Sequence, residues 1–287
     1  MPIAFFSMRC YHTFVTSFGK VELAAMGNII VYFSLCCDWE LLPRDRSGLS
    51  SCEALAHLPR KLDAHSEAAL EYALRLKDEA ALQGQAVQVC AVTAERELSS
   101  VLTQNLFAVG ADRILTLDWD SEPAFSPSAV ACALTEFVRT QSWDLILTGH
   151  QDSTSCDSVL PVILSRALSV PYLGPLSDLS FKEDGLHLTR TMPDHTQTAV
   201  VQGHAVCALG NSAHPDLRMA TLREKLAVMG RQAEHITCSA AGRNAALLQL
   251  SPRAAHRNLT WLPGETPTEK ASALLSILSD DKGGNSL

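Results

Sequence analysis

The amino-acid sequence predicts a doubly wound α/β domain: a mostly parallel sheet with a hairpin-rich edge, followed by an extended C-terminal arm that ends in a helix. Two observations carry this expectation. From residue 26 to about residue 171, short β-branched runs alternate with segments of helical period, and such alternation implies right-handed crossovers that lay helices on both faces of a parallel sheet. Beyond Pro171 the rhythm changes to short strand-like runs separated by turn signals such as Glu183-Asp184-Gly185, and runs joined this way pair antiparallel.

Residues 29–35, led by Ile29-Ile30-Val31, open the fold as a buried strand. Ala69, Tyr72, Ala73 and Leu76 mark one face of the first helix, with Asp63 or Ser66 as its cap and Glu67 in its first turn. Residues 87–93 form the next strand, Leu98, Val101, Leu102 and Leu106 stripe a helix that ends near Gly110, and residues 114–117 form a third strand. Ser126-Pro127 supplies an N-cap and a proline at the first helical position, ahead of a stripe of Val130, Ala133, Leu134, Phe137 and Val138. Residues 145–148 are a fourth strand, and Val159, Val162, Ile163 and Ala167 mark a fourth helix. The runs 176–181, 186–191, 198–201 and 205–209 then supply the hairpins.

From residue 217 no strand–helix unit recurs, and residues 230–263 are polar without a sustained period. Order returns at Thr266-Pro267-Thr268-Glu269, a capping box, ahead of a stripe of Ala271, Leu274, Leu275 and Leu278. That stripe must be buried either on its own domain or across a partner chain, and the residues alone leave both open. The expected division is therefore residues 1–25 as a non-native or disordered extension, 26–216 as the α/β domain, and 217–287 as the arm. Residues 1–25 scatter Phe5, Phe6, Phe14 and Phe18 among polar residues with no signal-peptide pattern, which points to Met26 as the physiological start.

Composition narrows the function. The 287 residues are 47% hydrophobic and 19% charged, which excludes disorder over the whole length. A formal charge of −8 argues against nucleic acid or an anionic membrane as partner. The apolar run 29–33 is broken at Ser34 and is too short for membrane insertion. The cysteines number nine, are dispersed, and include no C-x-x-C. That count argues against a zinc cage or a disulfide framework and for a reducing, cytoplasmic compartment.

The ten histidines are dispersed too, and no motif of a metalloprotease, nucleophile elbow, P-loop or dinucleotide fingerprint occurs. Gly210-Asn211-Ser212-Ala213-His214 resembles a nucleophile turn only superficially, and His150 with Asp152 has no serine or cysteine placed for activation. The concentrated polar feature is Gly149-His150-Gln151-Asp152-Ser153-Thr154-Ser155-Cys156-Asp157-Ser158, at the carboxyl end of a predicted parallel strand and leading into a helix. Ligands of open α/β sheets bind at such a place, where helix-start N–H groups face a phosphate. The plainer alternative is a solvated loop with Asp157 or Ser158 as the helix cap.

The order of motifs resembles the β subunit of electron transfer flavoproteins. The likeness rests on Ile29-Ile30-Val31, on Leu62-Asp63-Ala64-His65-Ser66-Glu67-Ala68-Ala69-Leu70-Glu71-Tyr72-Ala73-Leu74-Arg75-Leu76-Lys77, on Val109-Gly110-Ala111-Asp112-Arg113, on the position of the 149–158 loop, on Arg218-Met219-Ala220-Thr221-Leu222, and on the closing Gly264-Glu265-Thr266 with its helix. The resemblance implies a Rossmann-like domain paired with an α subunit, a shared FAD held mainly by that α chain, and electrons taken from a flavin-linked dehydrogenase. It also implies a nucleotide site for AMP or a second FAD. By position that site maps to Tyr32, to the turn Asp63, Ala64, His65 and Ser66, to Ala94, and to Gly149 through Ser158 with Val159 and Leu160.

Departures are visible against that family. Tyr32 stands where a small residue is expected, Asp63-Ala64 replaces asparagine-proline, and the loop has fewer side chains suited to hold a nucleotide. His214 takes the place of an anchoring leucine in a partner-recognition loop, with Arg218 just after it. The resemblance assigns the arm to the α subunit. The alternative from a different class is a stand-alone adenine-nucleotide binder of the universal-stress type, with the arm folded back on its own domain.

Overall fold

Ile29, Val31, Val89, Ala91, Leu145, Leu147, Val206 and Cys207 are fully buried, and the sheet is built around these β-branched and apolar runs, which both faces cover. A computed structural model describes residues 27–38, 59–118, 127–153, 158–182, 185–201, 203–238 and 261–280. The expected extension 1–25, Met26 and the Ser126 cap lie outside the described residues.

The chain begins with β1 (Asn28–Tyr32), then a short antiparallel ribbon of β2 (Leu35–Cys37) and β3 (Arg60–Leu62). It continues through α1 (Ala64–Leu82), β4 (Gln88–Thr93), α2 (Ser100–Ala108), β5 (Arg113–Asp118), α3 (Pro127–Arg139), β6 (Leu145–Gly149), α4 (Leu160–Leu168) and β7 (Tyr172–Leu176). Three strands, β8 (Asp178–Lys182), β9 (Gly185–Thr191) and β10 (Thr196–Val201), precede β11 (Ala205–Leu209), α5 (Leu222–Ala227), β12 (Glu234–Thr237) and the terminal α6 (Pro267–Asp280).

Among the described residues seven strands form one sheet in the order β12-β5-β4-β1-β6-β11-β7, every pair parallel. One face is packed by α1 and α2 together with Leu179, Phe181, Leu186 and Leu188 of the β8–β9 hairpin. The other face is packed by α3 and Leu164 of α4. The doubly wound class thus stands. The hairpins pair β10-β9-β8 in a separate antiparallel sheet, whereas residues 205–209, read with them from the sequence, form the parallel strand β11 between β6 and β7.

Local chemistry explains the elements. Asp63 caps α1 by accepting from the His65 N–H at 2.9 Å, and Ser99 caps α2 through the Leu102 N–H. Glycine follows α2 at Gly110, whose φ of +120° disfavours a side chain. The Asp112 that comes next accepts from the Val89 N–H at 2.8 Å and from Lys77 Nζ at 2.6 Å, while Arg113 forms a fork to Glu234 and reaches Gln141. Asp144 likewise accepts from the N–H groups of Gly27 and Asn28. Carboxylates thus terminate the amino ends of β4 and β1, where the ladder leaves donors open.

The Arg113–Glu234 fork also shows that the segment after residue 217 begins inside the domain. β12 pairs with β5, His235 Nδ1 bonds Thr116 Oγ1 at 2.7 Å, and Arg231 stacks 3.9 Å over the Phe107 ring. The first compact unit runs through residue 249, and residues 250–287 form a second. In that second unit α6 has the expected capping box, the Thr266 N–H bonding Glu269 Oε2 and the Glu269 N–H bonding Thr266 Oγ1. Among the described residues no helix is long and apolar enough to cross a membrane.

Replacing Asp112 with alanine strands the Val89 N–H and takes the carboxylate from Lys77, which keeps only the Gly110 carbonyl. The expected loss is about 2 kcal/mol, seen as a lower urea midpoint with an unchanged slope.

Candidate functional site

The strand order reverses at β1. From β1 the chain moves outward through β4 and β5, then returns across the sheet to β6 on the other side. A crevice outside the carboxyl ends of β1 and β6 is the consequence, and that is where open α/β sheets take ligands. Tyr32 ends β1, Ala94 follows β4, and Gly149 ends β6, so three of the sequence-predicted positions meet at this switch point.

Tyr32 and Ala94 are buried in one apolar cluster, against which Leu160, the first residue of α4, also packs. The tyrosine ring is therefore part of the core beside Ala94, where a small residue would leave space.

The Asp63 turn is held from several directions. Asp63 is 1% exposed. Its Oδ2 accepts from the Ser153 N–H at 2.8 Å, its Oδ1 accepts from the His65 N–H at 2.9 Å, and its own N–H donates to the Ser34 carbonyl at 3.0 Å. Ser66, also buried, accepts from the Ser34 N–H at 3.0 Å. One carboxylate thus joins the head of α1 to the loop after β6, occupying N–H groups that a phosphate would otherwise meet.

Gly149 makes this closure possible. A Cβ there would stand 2.7 Å from the His65 Cβ and 3.0 Å from the His65 carbonyl carbon, a contact that neither backbone can yield easily.

Past Gly149, the His150 N–H donates to the Leu209 carbonyl at 2.7 Å, tying the loop to β11. The His150 ring is held toward its neutral form, by burial first, then by His65 and by Arg190. Its Nδ1 has no hydrogen-bond partner among the described residues, so Asp152 does not orient it through that atom. The Ser212 hydroxyl also has no partner among them, so no base addresses the superficial nucleophile turn. Gln151 and Asp152 are half-buried and Ser153 is exposed. Thr154, Ser155, Cys156 and Asp157 lie outside the described residues. Ser158 precedes Val159, which sits at the N-cap of α4 and has no side-chain acceptor to offer.

The two expected partner-recognition residues lie in the stretch after β11, which is laid along α1. The Ala213 N–H bonds the Ser177 carbonyl at 3.0 Å, and the His214 ring tilts against Tyr72 at 5.8 Å between centroids. Arg218 clasps the nearly buried Glu71 with Nε and Nη2, reaches Asp78 with Nη1 at 2.7 Å, and donates its backbone N–H to Glu71. Its guanidinium is thus committed to α1 and fixes the loop from within. Tyr72 in turn donates to Asp178 Oδ1 at 2.9 Å, joining α1 to β8.

Sequence reasoning missed Ser34, Glu71 and Arg190 as parts of this region. Glu71 gave a signal, since it interrupts the buried face of α1 among Leu70, Tyr72 and Ala73, and a carboxylate there needs a cation. Arg190 gave one through its alternation with Leu186 and Leu188 on β9.

Two substitutions separate the clamp from the loop. Gly149→Ala is expected to cost about 1–3 kcal/mol through overpacking against His65, measured by chemical denaturation. Arg218→Ala leaves Glu71 without its cation, and faster amide exchange through residues 213–221 with unchanged exchange in β1 and β6 is the expected signature.

Comparison with known proteins fits this geometry. A model of the electron transfer flavoprotein domain matches residues 54–214, which takes in α1, the switch point and the loop up to His214. The chain is 25% identical over 154 residues to the electron transfer flavoprotein subunit beta of Dictyostelium discoideum, covering 54% of this chain and 58% of that protein. It is 26% identical over 171 residues to the putative electron transfer flavoprotein subunit YgcR of Escherichia coli strain K12, covering 59% and 65%. For the electron transfer flavoprotein subunit beta of Syntrophomonas wolfei the figures are 26% over 145 residues, covering 50% and 55%. The matches span less than two thirds of each of these relatives. With the doubly wound sheet, the switch-point loop and the segment laid along α1 all in place, the chain belongs to the electron transfer flavoprotein family, as a divergent member of its β-subunit branch.

Proposed function

We propose that this chain is the β subunit of a heterodimeric electron transfer flavoprotein. It pairs with an α subunit that holds most of the FAD, and the pair accepts electrons from a flavin-linked dehydrogenase and passes them on in a cytoplasmic compartment. The observation that carries the reading is a family match that runs through the elements forming the switch point. The bound FAD supplies the redox chemistry, and the protein supplies placement and docking surface.

The surface of the chain supports a subunit role. Met219 is 95% exposed, and Leu222, Leu226 and Met229 follow it at helical spacing around α5, all exposed. In α6, Leu275 and Leu278 are exposed as well. Contiguous uncovered apolar residues of this kind mark surfaces made to be covered. We assign α6 and the segment before it to the α subunit, and the loop carrying His214 to the dehydrogenase side.

The residues at the switch point fit a nucleotide only in part. The head of α4, with Val159 at its cap, suits a phosphate. Beside Ala94, the packed Tyr32 takes space that an adenine would need, and the Asp63 carboxylate occupies the head of α1.

Co-expression with an α-type flavoprotein chain should yield a yellow heterodimer with flavin absorbance. A colourless monomer that ignores every such α chain and binds ATP alone would overturn the reading in favour of a stand-alone nucleotide binder. Chromatography of the supernatant after heat denaturation identifies whether AMP or additional FAD accompanies the complex.

A further inference from the structure

A cleft of about 640 Å³ opens between the β8–β9 hairpin and the stretch that follows β11. Its walls are tied together by backbone. The Gly210 N–H donates to the Leu176 carbonyl at 2.9 Å, the Ala213 N–H to the Ser177 carbonyl at 3.0 Å, and the Ser177 N–H to the Thr189 carbonyl at 2.8 Å. Gly210 lies so close to Pro175 that a Cβ there would stand 2.7 Å from the proline Cβ. The cleft is therefore formed before any ligand arrives, and filling it costs little in ordering its walls.

The lining has a chemistry of its own. None of its residues is lysine, arginine or histidine, and its one charged group is the Asp178 carboxylate. Both hydrogen bonds that Asp178 accepts among the described residues go to Oδ1, from the Tyr72 hydroxyl and from the Leu179 N–H, each at 2.9 Å. Asp178 has no ion pair among those residues, and Arg75, whose charge is felt at Tyr72, does not pair with it. On the loop side, Ser212 keeps a buried hydroxyl with no hydrogen-bond partner among the described residues, an uncommon state that a group from outside would relieve. Thr191 is exposed at the rim and shares one hydrogen bond with Ser177. Met192 and Pro175 add apolar surface.

The loop beyond the cleft is held inward. His214 lies against Tyr72, and Arg218 is committed to Glu71 and Asp78, so neither residue is free to project as the anchor of an interface. At this place the contact has to be made by a group that reaches in. We propose that the cleft is a socket for an arginine of the protein partner that docks at the loop after β11, with the guanidinium against Asp178 and Ser212 and the methylene stem along Met192 and Pro175. This rests on the subunit reading, because it needs a partner on that side, and it adds the chemistry by which the partner is recognised. A cation is selected because the lining offers a carboxylate and hydroxyl oxygens as acceptors and no charged donor. Arginine is selected over lysine because its five donors, spread over a plane, meet acceptors on two walls while its stem takes apolar cover. The net charge of −8 draws a basic surface toward this chain in the same sense.

The test is amide NMR titration of the purified full-length chain, with no partner present, using a capped alanyl-arginyl-alanine peptide and its citrulline counterpart, which keeps the shape and lacks the charge. Concentration-dependent shifts at Ser177, Thr191, Ser212 and Ala213 are expected with millimolar arginine peptide and not with the citrulline peptide. Asp178→Asn, which keeps the oxygen that Tyr72 and Leu179 use, is expected to weaken binding by about fivefold or more, and Ser212→Ala by a smaller factor. Thr191→Arg puts the chain's own cation at the rim; it is expected to abolish binding, and it serves where Asp178→Asn folds poorly. No shift with the arginine peptide, equal shifts with the citrulline peptide, or unchanged affinity in Asp178→Asn overturns the proposal. Agmatine binding about tenfold more tightly than the peptide also overturns it, by assigning the cleft to a free organic cation. Because neither α subunit nor flavin enters the titration, a colourless monomer in co-expression that still binds the peptide removes the electron-transfer role and leaves the cation site. A yellow heterodimer whose β chain ignores the peptide removes the socket alone.

Discussion

The carboxyl end of the sheet depends on one close approach, that of Gly149 to the first turn of α1 at His65. Because no Cβ intervenes, the end of β6 comes near enough for the Ser153 N–H to reach the Asp63 carboxylate. Asp63 also caps α1 and is tied through its N–H to Ser34 beyond β1. One small residue and one carboxylate thus hold β1, α1 and the loop after β6 as a unit. Tyr32, at the end of β1, is buried beside that unit. The arrangement centres on Asp63, which is buried and whose carboxylate is shared between two N–H groups, so that its loss strands both.

Much of this was legible in the sequence. The stripe of Ala69, Tyr72, Ala73 and Leu76 is wholly buried, Asp63 caps its helix, and the Gly149 loop lies at the switch point. The parallel core could be read because fully buried strands leave continuous apolar runs. β12 could not, since Glu-His-Ile-Thr is a mostly exposed edge strand held by the ladder and by the Arg113–Glu234 fork rather than by burial. β11 was visible as a strand but not as a parallel one: its direction is set by its neighbours β6 and β7, and nothing local to residues 205–209 encodes that.

The site was legible in place but less so in role. His214 and Arg218 were read as surface contacts because the motif order put them in a loop. The structure turns Arg218 inward, where a carboxylate on α1 meets it. A lone Glu71 inside an apolar helix face and a lone Arg190 inside an apolar strand face are the same kind of signal, a charge at a position whose period demands burial. The first is answered within the chain by Arg218. The second has no ion pair to a carboxylate among the described residues.

The placement of β11 also bears on how the chain comes to be ordered. The crossover from β6 through α4 to β7 leaves a gap one strand wide, and that gap is filled only by a strand that lies beyond the whole β8–β9–β10 sheet. β6 and β7 have no ladder of their own to pair through, so β7 has no place in the sheet until residues 205–209 have emerged and inserted. Nascent chains shorter than that carry β6 as an unprotected edge, and the local, quickly formed hairpins of β8–β10 wait on a slow, long-range closure. During synthesis, then, the open edge of β6 is closed only once residues 205–209 have emerged.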